Sequence, residues 1–123
     1  MDAWTKRLRE EHADLERLLD ELAEAFAVGR ELPERMARAA GSVEAHYRIE
    51  QDFLERFAVC EPLLAGQMLA QHEEAREIAA RFAEMAPERA GDRLSLARRF
   101  HAVAQHNIIQ EERDVFPLAE RWM

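Results

Sequence analysis

The chain has 123 residues, with 17 basic and 25 acidic side chains and a formal charge of −8. That balance excludes a face of clustered cations for duplex nucleic acid. The single cysteine excludes an internal disulfide framework and fits a reducing, cytoplasmic setting. No apolar run nears the ~18 residues of a membrane span, and MDAWTKRLREEHADLERLL is too charged for a signal peptide. With 48% apolar residues, residues 1–123 are expected to form a single domain around one core.

Helix is the favoured local structure. The chain holds 22 alanines and 19 glutamates against only ten β-branched residues. Glycine and proline mark the breaks. A first helix is predicted over 3–28, with Trp4, Leu8, Leu15, Leu18, Leu19, Leu22 and Phe26 on one stripe and Gly29 as its C-cap. A second, over 33–59, opens on Pro33, where the missing N–H costs nothing, and carries Met36, Val43, Phe53, Leu54 and Phe57. Cys60 at its end reads as a small apolar filler. A third, over 62–86, opens on Pro62 and carries Met68, Ile78 and Phe82 among alanines. A fourth, over 92–121, has Asp92 as N-cap and carries Leu96, Phe100, Val103, Ile109, Val115 and Phe116. Pro117 is expected to kink or end it. Short connections make neighbours antiparallel, so the fold class is all-α, an up-down-up-down antiparallel four-helix bundle.

The stripes contain histidine where leucine is expected. On the second helix they meet His46 and Glu50, an i, i+4 pair that points the same way. His72 falls on the stripe of the third helix, His12 between Leu8 and Leu15, and His106 between Val103 and Ile109. In an antiparallel pair, residues are level when their midpoint falls at the turn. His12 and His46 are centred on Gly29, His46 and His72 just before Pro62, and His72 and His106 between Pro87 and Gly91. Four histidines, one per helix, are therefore expected at one level, while His101 fails the same test. A bundle core has no free backbone groups to satisfy four imidazoles, and each unsatisfied one costs roughly 1–3 kcal/mol. A metal ion satisfies them together.

Glu111 shares a face with Phe100, Asn107, Val115 and Leu118 beside the histidine stripe, and is the expected second carboxylate. Gln110, at i+4 from His106, stands as the alternative. Glu16, four residues after His12, reads as a solvated flank charge or as a carboxylate that orients the ring. Tyr47 reads as a core residue or as a donor beside the cluster. Four imidazoles and two carboxylates exceed the three protein ligands of a catalytic zinc. They suit iron, with manganese or zinc as substitutes and one or two ions. No glutamate precedes a histidine by three residues, against the pattern of ferritin-like bundles.

The chain resembles the hemerythrin-like, or HHE cation-binding, family. The resemblance rests on His12, on His46-Tyr-Arg-Ile-Glu50, on His72, and on His106-Asn-Ile-Ile-Gln-Glu111-Glu112 with Phe116-Pro117 beyond. It implies a non-haem di-iron centre, two iron ions per chain joined by an oxo or hydroxo group. Glu50 and Glu111 would bridge the ions, with His12, His46, His72 and His106 as terminal ligands. It further implies a small diatomic or peroxide ligand: dioxygen, peroxide or nitric oxide, bound or consumed in sensing, scavenging or redox stress. Oxygen-carrying members have a second histidine four residues along the third helix; position 76 here is arginine, which puts oxygen carriage in doubt. The other readings are iron storage, donation or sensing without turnover, and a metal-free helical interaction module. A homodimer or a protein partner is left open.

Overall fold

A computed structural model describes residues 2–123, with side chains from Trp4 onward. Four long helices follow the predicted punctuation: α1 Asp2–Val28, α2 Leu32–Cys60, α3 Pro62–Glu84 and α4 Ala90–Gln110. A single wide π turn, Glu111–Val115, joins α4 to a short α5, Phe116–Trp122. No strand occurs among the described residues. Helix α1 packs on α2 and α4, and α3 packs on α2 and α4, which closes the four-helix ring.

The breaks have the expected causes. Gly29 takes φ +78° and returns its N–H to Ala25 at 2.7 Å, a left-handed turn that favours glycine. Pro33 and Pro62 sit in the first turns of α2 and α3, where no N–H is required. Two details differ. Helix α4 starts at Ala90, so Asp92 is a first-turn residue paired with Arg89 at 2.7 Å rather than the N-cap. Cys60 is exposed, because the buried stripe of α2 ends on Phe53, Leu54 and Phe57 and leaves the last residue outside it.

The π turn changes the phase of the last helix. Helix α4 buries Leu96, Ala97, Phe100, Ala104, Asn107 and Ile108. A regular helix would carry that stripe on through 111, 115, 118 and 122. Glu111 and Val115 follow it, but Phe116 and Ala119 are the next buried residues, one position late, and Trp122 is 56% exposed. The Phe116 N–H reaches back five residues to the Glu111 carbonyl. Pro117 explains the wide turn: it has no N–H to give, and its ring needs room beside the carbonyl four residues earlier.

The core is divided by its polar residues. One apolar cluster holds Leu15, Leu19, Leu22, Val43, Tyr47, Ile78 and Phe100. The other holds Leu8, Phe53, Leu54, Phe57, Met68, Val115 and Phe116. Every helix changes cluster at the same height: between Leu8 and Leu15, Tyr47 and Phe53, Met68 and Ala75, Ile108 and Val115. Full burial of a Phe or Leu stabilises by about 1.5–3 kcal/mol, so two such clusters can carry a costly polar layer between them.

Candidate metal centre

The layer between the clusters contains His12, His46, Glu50, His72 and Glu111, each 3% exposed or less. They come from α1, α2, α3 and the first residue of the π turn, so all four sides of the bundle contribute. The structure thus brings together five of the six residues expected from the sequence. It leaves out His106, which is exposed. The correction has a physical reason: Val103 is half-buried and Ile109 is 50% exposed, so the stripe runs through Ala104, Asn107 and Ile108 instead. Asn107 takes the inward place, fully buried, with its amide nitrogen donating to Gln71 Oε1 at 2.8 Å. Gln71 in turn donates to Gln110 Oε1 at 2.8 Å, which holds Gln110 outside the cluster while Glu111 enters it.

The carboxylates divide their oxygens between two sets of imidazoles. Glu50 Oε2 faces His46 Nε2 at 3.1 Å and His12 Nε2 at 3.5 Å, while its Oε1 faces His72 Nε2 at 3.1 Å. Glu111 repeats the arrangement, with Oε1 3.1 Å from His12 Nε2 and Oε2 3.1 Å from His72 Nε2. Yet most of these atoms make no hydrogen bond. His12 Nε2, His46 Nε2, both Glu50 oxygens and Glu111 Oε1 are buried without a partner in hydrogen-bonding geometry. Lone pairs aimed at common points without bonding one another are the geometry of a ligand set, and leaving so many polar atoms unsatisfied would otherwise be costly. One donor atom each from His12, His46, Glu50 and Glu111 lies within 4.8 Å of the others.

Two further carboxylates hold the rings from behind. His46 Nδ1 lies 2.6 Å from Glu11 Oε1, and His12 Nδ1 lies 2.9 Å from Glu112 Oε2. With Nδ1–H donated outward, each Nε2 turns its lone pair inward, as metal-ligating histidine does. Glu16, which the sequence offers for that role, is exposed; Glu11 stands between Leu8 and Leu15, and Glu112 between Ile108 and Val115, each three and four residues away, a spacing that could have found them. The third ring is held by stacking, with Tyr47 3.7 Å from His72 at 8°. Tyr47 is a buried core residue. Arg76 covers it, the guanidinium 5.7 Å from its ring centre and 2.7 Å from Glu44.

Charge follows from this packing. Burial pushes the His12 imidazole down, but the Glu111 and Glu50 carboxylates outweigh it and raise His12 to about 10. The same two carboxylates overcome burial at His72 and raise it to about 9. At Glu50 burial acts upward, but His12, His46 and His72 hold it well below the usual carboxylate range. Glu111 is pushed up by burial and by the neighbouring Glu50 charge. Carboxylates this deep need positive charge, and protons on the imidazoles or a cation between them can supply it. A cation has to displace those protons to bind.

No helix among the described residues is long and apolar enough to cross a membrane. No curated protein and no solved structure matches the chain. The family model for the hemerythrin HHE cation binding domain matches residues 5–120, nearly the whole length. The bundle, the buried His/Glu layer and that match agree, and the chain belongs to the hemerythrin HHE cation-binding domain family.

Proposed function

We propose that this chain holds two iron ions at a carboxylate-bridged, non-haem centre and there binds or reacts with a small molecule such as dioxygen, peroxide or nitric oxide. The observation that carries the reading is the split of both carboxylates. Glu50 Oε2 and Glu111 Oε1 face His12 and His46, whereas Glu50 Oε1 and Glu111 Oε2 face His72. One ion would take two imidazoles and two carboxylate oxygens; the other, one imidazole and two oxygens. Mixed imidazole and carboxylate donors suit iron. Two bridging carboxylates offset half the charge of two ferrous ions, which makes the cluster tolerable in an apolar interior.

Iron bound here would supply one-electron chemistry and open coordination positions. The chain's own residues perform the rest. Glu11 and Glu112 fix the His46 and His12 tautomers. Tyr47 holds the plane of His72. Phe53 and Phe116 close the layer on one side, and Val43, Phe100 and Ile108 on the other, which excludes water. The His72 side has the fewest protein donors, so a small molecule is expected to arrive there.

The test is metal content per chain, by elemental analysis of protein purified without a histidine tag and reconstituted anaerobically with ferrous iron. About two irons per chain, with a visible spectrum that shifts on azide or nitric oxide, is the expected result. Two irons with no such shift would favour storage or donation of iron. A stable fold that refuses iron would leave a hydrogen-bonded polar core and overturn the reading.

A further inference from the structure

A cavity of about 220 Å³ lies between α2, α3 and α4, walled by Ala40, Val43, Ala75 and Phe100. Tyr47 forms its floor, and the ring that lines the cavity is the one stacked on His72. Holding a metal makes no use of this space. Its mouth toward solvent carries the Glu44–Arg76 ion pair, whose side chains are 35% and 30% exposed, with the half-buried Ala40 and Ala79 beside it. Arg76 is also tied to Glu73 at 2.5 Å and lies over the Tyr47 ring, which holds it at the mouth. Among the lining side chains outside the rim, only Tyr47 carries a polar atom, a hydroxyl that is buried and makes no hydrogen bond to protein.

We infer that this cavity is the admission chamber of the centre: it holds a small neutral molecule behind the Glu44–Arg76 pair and passes it to the His72 side by displacement of the Tyr47 ring. The route rests on the proposed metal centre for its destination, but the chamber itself does not. Three observations select the guest. The walls are alanine, valine and phenylalanine, which offer no partner for an ion. The space suits a molecule of a few atoms, since an apolar cavity of roughly 150 Å³ stays dry and takes up xenon or benzene. The Tyr47 hydroxyl provides one donor for a guest with one weak acceptor. The rim adds no net charge, because Glu44 and Arg76 neutralise each other, so it draws in neither anions nor cations. The guest class is therefore the neutral diatomic, not the charged ligand. The destination is the less crowded of the two ligand sets, where Glu50 Oε1 and Glu111 Oε2 meet a single imidazole.

Two measurements test this. The first needs no metal. Crystals of the protein under xenon pressure should show xenon between Ala40, Val43, Ala75 and Phe100. Ala79→Phe or Ala40→Phe, both at half-buried positions on the cavity wall, should abolish that site while other xenon sites persist. Xenon absent from the wild-type cavity, or unmoved by either variant, overturns the chamber. The second uses the iron-loaded protein. In stopped flow, nitric oxide association should slow at least tenfold in Ala79→Phe and Ala40→Phe, with iron content and visible spectrum unchanged. It should quicken at least threefold in Arg76→Ala. Unchanged rates in all three variants, with iron retained, overturn the route. A protein that takes up no iron would sink the metal centre, and xenon would then decide the cavity alone.

Discussion

A histidine's height along a helix and its angle around the helix are separate quantities, and at His106 only the first could be read. Midpoints between turns fix height, and His12, His46, His72 and Glu111 do lie in one layer. They do not fix angle, and a shift of one residue turns a side chain by about 100°. Asn107, not His106, points inward. His106→Ala should therefore keep wild-type iron content and melting temperature, whereas His46→Ala or Glu50→Ala should lose most of the iron. Elemental analysis of the three variants side by side decides it; iron lost from His106→Ala would return that residue to the ligand set. Glu11→Gln and Glu112→Gln should retain the fold but weaken iron binding by ~10–100-fold, the usual effect of removing the group behind a ligating ring. Leu8 and Leu15 flank Glu11, and Ile108 and Val115 flank Glu112, at helical spacing, but a charge at the edge of an apolar stripe is normally solvated and so reads as surface. His101 carries a prediction of its own. It packs edge-on to Phe26 at 5.7 Å, and burial lowers its pKa, with Asp20 opposing. A depressed pKa means that the unfolded chain binds the proton more readily. His101 thus contributes stability above pH ~6.5 that is lost as pH falls through its folded value. Metal-free wild type should lose melting temperature more steeply than His101→Phe between pH 7 and pH 5; parallel profiles would show that the histidine is indifferent to its surroundings.

Among elements, the four long helices were open to reading because glycine and proline stand at every break and each helix buries a continuous stripe. The π turn was not. Pro117 announces a disturbance, but whether a helix kinks, stops or widens depends on which carbonyls and side chains surround it. The outcome matters to the site, since Glu111 opens the wide turn and Glu112 reaches His12 from within it. Deleting the exposed Arg113 together with Pro117→Ala should close the turn to an ordinary helix. Phe116 and Ala119 would stay in phase with the core, because the deletion removes the one-residue offset. The variant should keep its helical circular dichroism while its iron affinity falls about tenfold as Glu112 swings off His12. Unchanged affinity in a metal titration would mean that the wide turn only accommodates the proline.

For the molecule as a whole, the polar layer makes stability depend on what fills it. Two apolar clusters hold the helices, but they are separated by buried carboxylates and imidazoles that repel as well as attract. A ligand bound only by the folded chain stabilises it by RT ln(1 + [L]/Kd), ~2.7 kcal/mol at one hundred times Kd. At this size that corresponds to a rise of about 10 °C. With iron in the layer as proposed, its removal by a chelator should lower the melting temperature by that order and leave the helical signal at room temperature intact. An unchanged midpoint would show that the layer balances its own charge.

The proposed ligand set also has an order in time. His12 is made first, then His46 and Glu50, then His72, and Glu111 only after the first three helices. Translation at ~5–20 residues per second leaves several seconds in which the first three helices exist without the fourth. During that interval His72 has no Glu111 oxygen opposite it, and the ribosome exit tunnel still hides the residues that would provide one. A cation captured then would meet an unfinished cage, open on one side and free to leave. Durable loading thus waits for Glu111, and a ribosome stalled before residue 111 should carry a nascent chain that cannot keep a metal.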